Sequence, residues 1–145
     1  VAETQGEPGG HNGDGVQAVF GRHAGQIKHE AQAVRAGLEI LASVDQLSYE
    51  LKEQIIVGVG IETGTVIAGY VETSQQMKLA VLGETVHIAE KLESIARPNR
   101  LLIGPTTYSG IMELFATRQL GSIRVDDRSV KVDIFEVLRA TTQAR

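Results

Sequence analysis

A run of β-branched residues near the middle of the chain constrains the fold more than any other sequence feature. Residues 55–64 read IIVGVGIETG, and a short, continuous apolar run of this kind is typical of a buried strand. Gly64 predicts a turn, and the following TVIAGYV predicts a second strand, so residues 55–71 are expected to form a hairpin. The centre of the chain is therefore expected to lie in a sheet.

Two segments that flank this hairpin have helical periodicity. Residues 28–51 place apolar side chains three and four positions apart on one helical face: Ala31, Val34, Leu38 and Leu41. Asp45 leaves open whether this stretch forms one long helix or two short ones. Residues 84–96 predict a second amphipathic helix that ends before Pro98, and Pro105 predicts the start of a third.

Shorter alternating or apolar segments predict the remaining strands. Three of them lie at residues 16–20, 78–82 and 101–104. Two more, at residues 119–125 and 129–138, flank a polar turn and predict a second hairpin. Together these patterns predict an α+β fold in which helices pack against a central sheet.

Length and composition narrow the class of protein. The chain has 145 residues, which favours a single domain large enough to bury a core. Its net charge of -4 argues against nonspecific nucleic-acid binding, which needs a concentrated positive surface. The absence of cysteine excludes disulfides, zinc–thiolate sites and a catalytic thiol, and it is compatible with the cytoplasmic location that we expect. No apolar run is long enough to cross a bilayer.

The two ends of the sequence differ from the rest. Residues 1–13 are rich in glycine and show no apolar period, which predicts a flexible tail or a tight hairpin. We expect one domain over residues 14–138 and a frayed tail over residues 139–145.

Two local patterns suggest chemistry. Asp14 stands between Gly13 and Gly15 at the start of a predicted strand, where its carboxylate is a candidate Mg²⁺ ligand, although spacing alone favours an ordinary Asp-Gly turn. His87 and Lys91 are four residues apart on a predicted helix, so they share a face on which they could contact a phosphate or a sugar. The simpler interpretation of that pair is two surface residues on an amphipathic helix.

Four stretches, in order, resemble the class III adenylate and guanylate cyclase family. GDGVQAVFG resembles its metal-binding strand, VGVGIETGTVIAGYVE its central hairpin, LAVLGETVHIAEKLESIARPNRLLIG its substrate and transition-state segment, and VKVDIFEVL its closing strand. The resemblance covers about residues 4–138. It implies a ferredoxin-like core with a mostly antiparallel sheet, and a head-to-tail dimer with two composite sites. One chain supplies two metal aspartates for Mg²⁺ or Mn²⁺, and its partner supplies the base-binding and transition-state residues.

The resemblance assigns Asp14 to the second metal-binding aspartate, which is kept. At the two positions where the family selects the base, by a lysine and usually an aspartate, threonine or cysteine, this chain has Gly10 and Ala80. Neither residue has a side chain that can hydrogen-bond a purine. The substitutions therefore predict that base selection is lost.

Three further family positions are also changed. His87 replaces the asparagine that orients the ribose, Lys91 replaces the transition-state arginine, and Asp126 falls at the phosphate-binding lysine. Lysine keeps a charge but lacks the planar fork of arginine. An aspartate would repel a triphosphate. Loss of one transition-state donor typically costs about 10²–10³ in rate, so little cyclase activity is expected from the chain alone.

The family's first strand, which carries the other metal aspartate, has no counterpart among these residues. Either the chain shown is incomplete or this version lacks that ligand. Three hypotheses follow: a degenerate domain used for dimerisation, regulation or ligand sensing; the metal-supplying half of a heterodimeric adenylate or guanylate cyclase; and a site adapted through His87 and Lys91 to another phosphate-bearing ligand. For the first we expect a homodimer in which residues 58–71 take part.

Overall fold

The computed structural model describes residues 15–22, 28–125 and 130–141 in full and residues 7–12 by their backbone. Strands and helices are mixed along this part of the chain, as the sequence predicts. The elements in chain order are β1 (Glu7–Asn12), β2 (Gly15–Val19), α1 (His29–Leu51), β3 (Val59–Ile61), β4 (Ile67–Glu72), β5 (Met77–Leu82), α2 (Glu84–Ala96), β6 (Leu101–Ile103), α3 (Pro105–Ile111), β7 (Phe115–Arg124) and β8 (Lys131–Ala140).

A four-stranded sheet forms the centre of the domain, with strand order β3-β6-β8-β7. β3 and β6 are parallel, whereas β6 with β8 and β7 with β8 are antiparallel. The predicted α+β class, with a mostly antiparallel central sheet and packed helices, is confirmed. The predicted second hairpin is also confirmed, since β7 and β8 pair along their whole length.

The core lies on both faces of this sheet, because side chains alternate along its central strand β6. Leu101 and Ile103 belong to the cluster beneath α1 and α3, and Leu102 belongs to the cluster beneath α2. The buried members of the first cluster are Ala31, Val34, Leu101, Ile103, Ile111, Phe115, Phe135 and Val137. The buried members of the second are Leu92, Ala96, Leu102 and Ile134. The sheet therefore separates α2 from the other two helices.

The three helices lie where the periodicity predicts them. α1 is continuous from His29 to Leu51, which answers the question left open at Asp45. It ends at Lys52, whose backbone is left-handed and whose N–H donates to the carbonyl of Ser48. α3 begins at Pro105, where the missing N–H of proline costs no helical hydrogen bond. No helix that the structure describes is long and apolar enough to span a membrane.

The hairpin predicted at Gly64 is wrong. β3 pairs with β6, 42 residues further along in register (Val59 with Leu101), and β4 instead pairs antiparallel with β5 in a separate two-stranded sheet. An apolar run indicates a buried strand but does not identify its neighbour, because parallel partners are joined through a distant crossover. All six residues of β4 are exposed.

Strand structure extends into both terminal segments. β1 pairs antiparallel with β2, with an irregularity in register between Pro8 and His11. β8 continues to Ala140, which pairs with Phe115, so the first two residues of the segment 139–145 belong to the sheet. The domain boundaries at residues 13 and 138 stay predictions.

Candidate functional site

α2 lies directly on the backbone of β3, because that strand carries glycine on the face beneath the helix. A Cβ atom at Gly60 would overlap the carbonyl oxygen of Ala89 and the amide nitrogen of Glu93. One at Gly58 would overlap the carbonyl oxygen of Glu93. The two glycines therefore allow a close approach that a larger residue would prevent.

His87 and Lys91 lie on the opposite face of α2, away from the sheet. Both are exposed, and the His87 side chain retains 64% of its accessible surface. Nδ1 of His87 is 4.0 Å from a carboxylate oxygen of Glu90, one helical turn away. The structure thus places the two residues together on one solvent-facing surface, as their spacing predicts.

Ala80 lies on β5 directly opposite Gly69 of β4. Paired residues of an antiparallel ribbon share a face, so Ala80 lies between the Ile67–Leu82 pair and the Val71–Lys78 pair. A Cβ atom at Gly69 would meet nothing within 4 Å, so this face is open at Gly69, and Ala80 is partly exposed. Ala80 therefore offers a methyl group and no hydrogen-bonding group to a ligand.

The other three predicted positions are described less completely. Gly10 is in β1, at the irregularity between Pro8 and His11. Asp14, the proposed metal ligand, and Asp126, at the phosphate position, lie outside the described residues. Their roles stay predictions.

Side-chain contacts join β2, the strand that follows Asp14, and the residues just after it to the rest of the domain. Nε2 of Gln17 donates to Oε1 of Glu90 on α2 at 3.2 Å. Nη2 of Arg22 donates to Oη of Tyr70 on β4 at 2.9 Å, and its guanidinium lies 5.4 Å from the centre of that ring. Neither contact is predictable from local sequence patterns, because the partners are 73 and 48 residues apart.

Glu62, directly after β3, is a partly buried carboxylate that the sequence analysis also missed. It accepts hydrogen bonds from the backbone N–H of Thr63 at 2.9 Å and from the backbone N–H and hydroxyl of Thr107 at 3.3 Å each. Burial raises the pKa of Glu62, and the hydrogen bonds to Thr63 and Thr107 oppose that rise. A single carboxylate followed by Thr63, Gly64 and Thr65 gives no local signal, since its main partner, Thr107, lies in α3.

No group of three or more histidine, aspartate or glutamate side chains within residues 15–22, 28–125 and 130–141 is arranged to hold a metal ion. Asp14 is outside these ranges. What the described face of α2 offers is an imidazole and an ammonium group that could contact a phosphate or a sugar hydroxyl. A binding site for such a ligand would need further residues from outside this face of α2.

The sequence of this chain matches the family model described as "Adenylate and Guanylate cyclase catalytic domain" over residues 11–137. It is 31% identical over 134 residues to the adenylate cyclase, terminal-differentiation specific, of Dictyostelium discoideum, covering 87% of this chain and 6% of that protein. It is 29% identical over 96 residues to the dog guanylate cyclase soluble subunit alpha-1, covering 66% of this chain and 14% of that protein. The chain therefore spans a small part of either relative.

Solved structures agree on the fold. The adenylyl cyclase CyaB from P. aeruginosa superposes with a TM-score of 0.86 at 24% sequence identity, covering 97% of this chain and 76% of that one. At this level of identity the likeness concerns the architecture alone.

Proposed function

The chain belongs to the adenylate and guanylate cyclase catalytic domain family, and we propose that it is a catalytically degenerate member that acts through dimerisation in the regulation of cyclic-nucleotide signalling. The observation that carries this proposal is the contrast between a family fold that is kept over residues 11–137 and site positions that are substituted. Core residues and the glycines beneath α2 fit their environments closely, whereas the positions that the family uses for chemistry are changed.

The substitutions each remove a specific contribution to catalysis. Ala80 cannot hydrogen-bond a base. Lys91 is exposed, and its ammonium group cannot bind a phosphate in the bidentate way of the arginine that the family has there. His87 is larger than the asparagine it replaces. Each lost transition-state donor costs about 10²–10³ in rate. Such losses do not add simply, but together they leave little rate enhancement.

The ribbon formed by β4 and β5 supports dimerisation. On the face that contains Ala80 and Gly69, Ile67 is 73% exposed, Leu82 64% and Val71 50%. Neighbouring apolar residues exposed in this way are a common feature of protein–protein interfaces. We propose a homodimer through this ribbon, whose strand β4 contains the exposed residues 67–71 of the segment 58–71 predicted from the sequence.

The presence of Asp14 at the position of a family metal-binding aspartate favours a second candidate function. The chain would then be the metal-supplying half of a heterodimeric cyclase that converts ATP or GTP to a cyclic nucleotide and pyrophosphate. The dog relative is named as a subunit, which is compatible with such an arrangement. In this case Asp14 would hold Mg²⁺ or Mn²⁺, which would polarise the triphosphate.

A mixing experiment separates the two functions. The chain is combined with a cyclase domain that carries the family's lysine, asparagine and arginine but has its own metal aspartates replaced, and cyclic nucleotide is measured. The degenerate function predicts no product from the mixture. Product that requires both chains and disappears with Asp14→Ala would establish the heterodimeric enzyme instead.

A further inference from the structure

The turn of residues 62–65 touches the first turns of two helices. It follows β3, which is one of the two edge strands of the central sheet, and leads into β4. Glu62 and Thr63 contact α3, while Gly64 and Thr65 contact α2. Since α2 carries His87 and Lys91, these contacts connect the turn to the helix of the proposed site.

The contacts with α3 are made by hydrogen-bonding groups with little room to move. Thr107 is fully buried, and its hydroxyl lies 2.7 Å from that of Thr63. Because the Thr107 hydroxyl donates its proton to Glu62, it must accept from Thr63. A Cβ atom at Gly104, the residue before α3, would overlap the Glu62 carboxylate. The carboxylate is therefore held between a helix start and a strand end.

The contacts with α2 are made by the side chain of Thr85 at the start of the helix. A Cβ atom at Gly64 would overlap the hydroxyl oxygen of Thr85, and that hydroxyl donates to the carbonyl of Thr65 at 3.4 Å. Thr85 is two residues before His87. The first turn of α2 then closes through the amide nitrogens of Val86 and His87, which donate to the carbonyl of Gly83.

We propose that Glu62 is a positioning residue: by fixing the turn of residues 62–65 to α3, it sets the place of the first turn of α2 and hence of His87. This inference rests on the proposed function in one respect: it takes the exposed face of α2, with His87 and Lys91, as the site. Burial of the carboxylate supports it, because a group that only decorated the surface would keep its full hydration.

Hydrogen exchange of the backbone amides tests the proposal without any measurement of activity or dimerisation. Glu62→Ala removes the acceptor and is expected to speed exchange at residues 86–88 about tenfold, while residues 34–38 in α1 keep their protection. Glu62→Gln keeps one acceptor oxygen and is expected to give a smaller increase at the same amides. Glu113→Gln, an exposed carboxylate in the turn after α3, is the matched control and should change neither segment.

Two results would overturn the proposal. One is faster exchange that is uniform over all three helices, which would mean that Glu62 supports only global stability. The other is faster exchange confined to α3. Should Glu62→Ala fail to fold, the comparison of Glu62→Gln with Glu113→Gln gives the same test. Hydrogen exchange reports local structure and not activity. The test of Glu62 therefore gives the same answer whether or not the chain proves to be an active cyclase.

Discussion

Gly60 and Gly69 both lie in strands, yet their surroundings differ, and this difference gives a prediction at the scale of single residues. A Cβ atom at Gly60 would overlap backbone atoms of α2, whereas one at Gly69 would meet nothing. Gly60→Ala is therefore expected to lower the free energy of unfolding by about 1–3 kcal/mol. Gly69→Ala should leave it within about 0.5 kcal/mol. Denaturant unfolding of both variants checks this, and equal effects would show that α2 does not rest on the glycines.

The raised pKa of Glu62 gives a second residue-scale prediction. The ordinary pKa of this side chain is 4.5, and burial raises it in the folded chain. The folded state therefore holds the proton more tightly than the unfolded state, so this stabilisation is complete below pH 4.5 and is lost as the pH rises through the folded-state pKa.

Glu62→Gln removes this titration while keeping the size of the side chain. The free energy of unfolding of the unmodified chain, relative to this variant, is expected to fall as the pH rises above 4.5. Urea unfolding of the two proteins between pH 4 and pH 8 measures the difference. A relative stability that is flat, or that increases with pH, would contradict the proposed environment of the carboxylate.

At the scale of elements, β7 contains a buried and an exposed apolar residue. Phe115 is 1% exposed in the cluster beneath α1 and α3, and Leu120 is 39% exposed. Phe115→Ala is expected to cost about 3–5 kcal/mol of unfolding free energy because it opens a cavity. Leu120→Ala should cost less than about 1 kcal/mol. Thermal unfolding compares them, and similar losses would mean that the core does not continue under the start of β7.

The sequence predicted the elements better than their partners. The bounds of α2 at Glu84 and Ala96 follow from periodicity and from Pro98, which are local signals. The hairpin at Gly64 failed because the partner of β3 is set by a crossover through β4, β5 and α2. Pairing between distant strands depends on how the helices and the sheet pack together. A short apolar run therefore does not indicate which strand will be its partner.

The candidate site shows the same division. The shared face of His87 and Lys91 follows from their spacing alone, and the structure places both on one exposed surface. The contacts of Glu62 with Thr107 and of Gln17 with Glu90 join residues 45 and 73 positions apart. Side chains that meet only after folding leave no pattern in a single sequence.

At the scale of the whole molecule, we expect one substitution on the exposed face of the β4–β5 ribbon to lower the association constant of the proposed dimer. Val71→Asp places a carboxylate opposite Lys78, on the face that also carries Ala80, Ile67 and Leu82, and is expected to weaken the proposed dimer at least tenfold without changing the fold. Tyr49→Asp, at an 82% exposed position on α1, is the control and should leave association unchanged. Sedimentation equilibrium measures both, and a dimer that tolerates Val71→Asp would place the interface elsewhere.

The central proposal is that this chain keeps the cyclase fold but not the chemistry. The most direct test measures cyclic nucleotide formed by the protein that contains this chain, with Mg²⁺ and with Mn²⁺, from ATP and from GTP, beside an Asp14→Ala variant. The account predicts no product above that of the variant. Product that disappears in Asp14→Ala would contradict it, and would mean that Gly10, Ala80, His87 and Lys91 form a working site despite their substitutions.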